Sequence, residues 1–164
     1  MTDLPPAALR FAEAARRAGI EPDVMVMEQS TRTAGEAAEA CGASVAQIVK
    51  SLVFKGRKTG TPCLFLVSGA NRVDEDTVAA HLGEPLGRME VRAVRDLTGY
   101  AIGGIPPLGH ATPVRTFMDE DLLAFTEVFA AAGTPNTMFS VAPDALRQAT
   151  AATVIGVKAV GAPT

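Results

Sequence analysis

Residues 98–110 read TGYAIGGIPPLGH, and the reading of the whole chain turns on this stretch. Four glycines, Gly99, Gly103, Gly104 and Gly109, surround the consecutive prolines Pro106 and Pro107. Glycine admits positive φ and lets a backbone come close to a ligand. Proline fixes φ and withdraws a backbone donor. Together they describe a loop of covalently restricted shape whose remaining N–H groups can face an anion. Such a loop stabilises developing negative charge without any catalytic side chain.

On either side of this loop, helical and strand patterns alternate without a βαβ rhythm. Leu9, Ala12, Ala15 and, with Phe11, Ala18 recur at helical spacing after Pro5-Pro6, and Gly19 ends that helix. Asp23 to Met27 reads as a short buried strand. Thr33-Ala-Gly-Glu36 and Ser44-Val-Ala-Gln47 are capping boxes. The first opens a helix closed by Gly42. The second opens a turn leading into Ile48. Val49–Phe54 and Pro62–Ser68 are β-prone, joined by a polar hairpin loop. Asp74-Glu75-Asp76 opens a helix through Leu82, with its acids at the favourable end of the helix dipole. Gly83–Gly87 reads as a connector and Val91–Asp96 as a short helix. Strands are expected at 114–118, 127–131, 137–141 and 153–157, with a helix from Pro143 to about Ala151. The fold class is α+β, with a curved, largely antiparallel sheet and helices packed outside it.

A chain of 164 residues, 48% hydrophobic and 20% charged, suits one globular domain spanning 1–164. No apolar run is long enough to cross a membrane. The N-terminus lacks the basic-then-apolar pattern of a secretory signal, so a cytoplasmic location is expected. Cys41 and Cys63 have no metal-type spacing and read as small hydrophobes. The net charge of −3 argues against a general nucleic-acid binder. Local groups, Lys50, Lys55, Arg57, Lys58 and Arg88, Arg92, Arg95, are either solvated faces or a phosphate contact surface.

No nucleophile elbow, phosphate-binding glycine motif or zinc-protease helix is present. With only His81 and His110, a histidine-rich metal site is excluded. No cofactor is expected. His81 reads as structural; His110, bordering the glycine loop, is a candidate substrate contact. The Asp74–Asp76 and Asp119–Asp121 runs are better explained by capping and solvation than by metal binding. Lys50 interrupts an apolar stretch. It is either an exposed strand lysine or a cation facing a pocket, able to bind a phosphate or carbonyl oxygen.

Val49-Lys50-Ser51-Leu52-Val53-Phe54, Gly69–Asp74, Thr98-Gly99-Tyr100 and Gly103–Gly109 occur in an order that resembles the YbaK/prolyl-tRNA-synthetase-associated family of aminoacyl-tRNA deacylases. The resemblance runs from about Ala8 to about Lys158. It implies a mixed α/β fold with a barrel-like sheet and a hydrolase acting in trans on mischarged tRNA, at the ester on the 3′-terminal adenosine. Attack comes from a bound water or from the substrate itself. By this resemblance Lys50 is the functional lysine, and Gly103 opens the GxxxP loop, with oxyanion donors near Gly103 and Gly104. Ser51, Ile105, Pro106, Pro107, Gly109, His110, Asn136 and Met138 are expected to contact substrate. The cysteine-specific branch carries a serine and an aspartate where this chain has Ala131 and Met138, and other branches often have a histidine near Asn136. The sequence looks closer to branches removing alanine, serine or threonine. A synthetase or elongation factor is the partner expected to select the tRNA. The alternatives are a catalytically silent module binding tRNA ends or nucleotides, and a small-ester hydrolase.

Overall fold

The computed structural model describes residues 3–159. Five helices surround one mixed, eight-stranded sheet. The strands are β1 (Val24–Val26), β2 (Ile48–Gly56), β3 (Pro62–Ser68), β4 (Leu86–Arg88), β5 (Arg115–Asp119), β6 (Val128–Ala131), β7 (Thr137–Val141) and β8 (Thr153–Ile155). The helices are α1 (Pro6–Arg17), α2 (Ala34–Cys41), α3 (Glu75–Leu82), α4 (Val91–Thr98) and α5 (Pro143–Thr150). The order across the sheet is β1-β7-β6-β2-β3-β5-β8, with β4 beside β2. Hairpin neighbours run antiparallel. The β2–β6, β3–β5 and β5–β8 pairs are parallel, because the chain crosses over between them.

The centre is β3, where Cys63 to Ser68 are all buried. A strand covered on both faces needs apolar side chains on both, which explains its unbroken run. Leu64 and Leu66 join the core shared with Phe11, Ile105, Phe139 and Leu146. Cys63, Phe65 and Val67 join the opposite core with Phe117 and Ile155. Phe65 stacks on Phe117 at 5.1 Å between ring centroids. Helix α1 presses Ala8, Phe11, Ala12 and Ala15 inward, and Phe11 meets Phe139 at 4.6 Å.

Local chemistry sets the ends of the elements. Thr33 accepts from Glu36 N–H at 3.1 Å while the Glu36 carboxylate accepts from Thr33 N–H, so the capping box at α2 forms. Gln47 accepts from Ser44 N–H at 3.0 Å and donates to the Glu127 carbonyl at 3.1 Å, tying this turn to the approach of β6. The expected connector at 83–87 contains a strand start instead. Leu86, Gly87 and Arg88 pair with Gly56, Lys55 and Phe54. Gly87 supplies no side chain, and its three-residue strand is stabilised by the ladder and the buried Leu86.

Strand β2 is the key to the site. One edge pairs with β3 along most of its length. The other edge meets β6 only at Ile48 and Val49, and β4 only at Phe54, Lys55 and Gly56. The sheet therefore has a gap beside the middle of β2.

Candidate active site

A cavity of about 580 Å³ occupies this gap. Residues 49–54 of β2 form one wall. Ala131 and Met138 come from the β6–β7 hairpin, Met89 and Val94 from the β4–α4 segment, and Ile102, Gly103 and Ile105 from the glycine loop. Thr31 to Ala34, leading into α2, close the rim.

Lys50 lines the cavity with its ammonium fixed. Nζ donates to the Asn71 carbonyl at 2.6 Å. The Asn71 amide in turn donates to Asp119 and Asp121, each at 2.8 Å. Asp119, 1% exposed, also accepts from Ser68 N–H. Burial pulls the Lys50 ammonium below the ordinary lysine value, Arg72 adds to that pull, and Asp119 opposes it. The acidic run at 119–121 thus belongs to this scaffold. Asp119 caps the 3-10 turn at Glu120–Ala124, and Asp121 pairs with Lys158 at 2.9 Å. Among the described residues no group of three or more His, Cys, Asp or Glu is placed to hold a metal.

Beside Lys50, the Ser51 hydroxyl is buried and has no hydrogen-bond partner. A buried hydroxyl without a partner is costly.

The glycine loop is rigid for identifiable reasons. Thr98 Oγ1 donates to the Val94 carbonyl at 2.8 Å and accepts from Tyr100 N–H at 3.1 Å. The Tyr100 hydroxyl donates to the Gly109 carbonyl, and Arg10 of α1 donates to the Gly99 carbonyl. Gly103 has φ +96°, and a Cβ there would lie 3.1 Å from Arg32 Cγ. Its N–H donates to no group among the described residues.

The remaining expected contact residues lie off the cavity lining or are held by other groups. Gly104 N–H already donates to the Ala101 carbonyl at 3.0 Å, so it is not a free oxyanion donor. The residue is glycine because the loop lies directly on the Thr134 backbone. Pro106 and Pro107 are buried and do not line the cavity. Gly109 packs toward Ala14 of α1. His110 does not line the cavity. Its Nε2–H donates to the Pro106 carbonyl at 2.8 Å, and burial holds the imidazole below the usual histidine value against the opposing effect of that bond. Asn136 donates to the Met27 carbonyl and accepts from Thr134, so it ties β1 to the hairpin turn outside the cavity. Lys50, Ser51, Gly103, Ile105 and Met138 do come together.

Arg32 is a cavity residue that sequence reasoning missed. Its stem packs on Gly103 and its exposed guanidinium has no ion-pair partner among the described residues. The only local signal was its position just before the Thr33 cap. Nothing in that spacing says that a loop some 70 residues later folds beneath it.

Residues 28–149 match the aminoacyl-tRNA editing domain family. The chain is 31% identical over 128 residues to YwhH, an uncharacterised protein of Bacillus subtilis, covering 78% of this chain and 81% of that one. It is 29% identical over 117 residues to EbsC of Enterococcus faecalis, named as a candidate Cys-tRNA(Pro)/Cys-tRNA(Cys) deacylase, covering 70% of each. A crystal structure described as a candidate trans-editing enzyme for prolyl-tRNA synthetase superposes with a TM-score of 0.90 at 48% identity, covering 96% of this chain and 99% of that one.

Proposed function

Since the chain belongs to the aminoacyl-tRNA editing domain family, we propose that its cavity hydrolyses the ester of a mischarged tRNA, with Lys50 and Gly103 as the charge-handling groups. The observation that carries this is one cavity lined by Lys50, whose ammonium is fixed on the Asn71 carbonyl, and by Gly103, whose N–H donates to no group among the described residues. An aminoacyl ester is already activated. The enzyme has to orient it and stabilise the oxyanion formed as water adds to the carbonyl carbon. Gly103 N–H meets that oxygen. Lys50, held by Asn71, anchors the 3′-terminal nucleotide or the ester itself. Collapse of the adduct breaks the bond to the ribose oxygen, which takes a proton, and releases the free amino acid.

The cavity wall near Ala131 and Met138 is apolar. It suits a small side chain and discriminates weakly between residues differing by one methylene. Selection of the tRNA then falls to a synthetase or elongation-factor partner. We place the protein in the cytoplasm, where such substrates arise.

Deacylation of a panel of mischarged tRNAs by wild type and Lys50→Ala tests the proposal. Loss of one charge-stabilising group lowers kcat by about 10²–10³. Absence of hydrolysis across the panel by wild type overturns the deacylase reading. Equal rates for the two proteins overturn the role of Lys50 alone.

A further inference from the structure

Strand β2 carries backbone groups that no strand among the described residues uses. Ile48 gives its carbonyl to Gly69 N–H at 2.7 Å, so even-numbered residues of β2 direct their N–H and C=O groups toward β3. Odd-numbered residues direct theirs to the opposite edge. The Arg57 N–H bond to the Pro85 carbonyl keeps the same phase at the far end. On that edge, β6 stops at Val49 and β4 starts at Phe54. Ser51 and Val53 fall between them. The Ser51 carbonyl and the Val53 N–H therefore look across the gap, where the cavity lies.

Backbone groups taken out of water need partners. No third strand can fill this gap, because Ala131 and Met138 bound one end and Met89 the other. A flat heterocycle fits where a strand does not. A carbonyl at one residue and an N–H two residues later present an acceptor and a donor side by side. Adenine offers the complement, its 6-amino donor beside a ring-nitrogen acceptor; guanine's O6 and N1–H present the reverse. The apolar lining from Leu52, Phe54, Met89 and Val94 suits the faces of a base.

We propose that the Ser51 carbonyl and the Val53 N–H read the base of the tRNA's terminal nucleotide as adenine, an inference that rests on the deacylase reading. Lys50, adjacent in the chain, then works on the ester while its neighbours hold the base. The recognition is by main chain, so no side chain in the sequence announces it.

The test uses RNA microhelices carrying a non-hydrolysable 3′-amide-linked amino acid and ending in adenosine, inosine or purine riboside. Binding to the full-length protein is read by fluorescence anisotropy. Inosine reverses the donor and acceptor, and purine riboside lacks the amino group. Each is expected to bind roughly 5- to 150-fold more weakly than adenosine. Replacing the Val53 amide by an ester, through its α-hydroxy acid analogue, removes that one N–H. It is expected to weaken adenosine binding and narrow the gap to inosine. Equal affinity for the three ends overturns the inference, as does an equal loss for adenosine and inosine in the ester variant. Ester-linked substrates run in parallel separate the two readings. Hydrolysis without base discrimination sinks only the adenine contact, discrimination without hydrolysis sinks only the deacylase reading, and no binding of any microhelix sinks both.

Discussion

Gly104→Ala probes the contact that holds the glycine loop against the β6–β7 turn. A Cβ at this position would lie 2.6, 2.7 and 2.9 Å from the carbonyl carbon, Cα and nitrogen of Thr134. All three are backbone atoms, so no side chain can swing aside. Ordinary contact begins at 3.4 Å, and the two backbones must part by about 0.8 Å. Thr134 cannot yield freely. Its N–H donates to Thr137 Oγ1, its hydroxyl bonds to Asn136, and the next residue's carbonyl accepts from Thr31 N–H at 2.7 Å. Overpacking of this kind costs about 1–3 kcal/mol. For a chain of this size that lowers Tm by roughly 2–12 °C. The same displacement moves Gly103, its neighbour, relative to Lys50, and a misplacement near 1 Å can cost about 10²-fold in rate. Urea unfolding midpoints and steady-state deacylation measured on the same preparation read both effects. A variant matching wild type in midpoint and in rate would refute the packing of Gly104 on Thr134.

The half-buried His110 makes stability depend on pH. Its folded value lies below the ordinary one, so the unfolded chain takes the proton first as pH falls. The stability from neutral His110 is complete above about pH 6.5 and is lost as pH drops from there toward the folded value. Urea midpoints should fall across that window, and His110→Gln, which keeps an N–H donor for Pro106, should flatten the slope; identical slopes for the two proteins count against the contribution of His110. Cys63 is buried, with its thiol pushed up to about 11, mainly by burial. A thiol reagent near pH 8 should label the half-exposed Cys41 first and reach Cys63 only on unfolding, and equally fast labelling of both contradicts the packing of β3.

Local signals carried most of the fold. The two capping boxes, the proline-led starts of α1 and α5, and the unbroken apolar run of β3 each depend on neighbours within a few residues. β4 escaped because Gly83–Gly87 has turn composition, and its pairing is supplied by a strand some 30 residues earlier. At the site, Lys50 and the glycine loop were legible as cavity residues, since a cation in an apolar stretch and a glycine–proline cluster are unusual on their own. The division of labour within the loop was not. Gly104 differs from Gly103 through a hydrogen bond to Ala101 and a contact with Thr134. His110 and Asn136 have the side chains of substrate contacts, yet the carbonyls of Pro106 and Met27 claim them. Arg32 and the open edge of β2 were invisible because both are defined by what packs beside them.

The β2–β6 pairing has a consequence for synthesis. Ile48 lies opposite Phe129, roughly 80 residues further along the chain. The cavity also needs Ala131 and Met138, which follow later still. A nascent chain that has exposed only the lysine strand and the glycine loop has half a wall and no pocket. Contacts of this sequence span form late, because their loops are costly to close. The polypeptide emerging from a ribosome crowded with aminoacyl esters is thus inert toward them until most of it has been made.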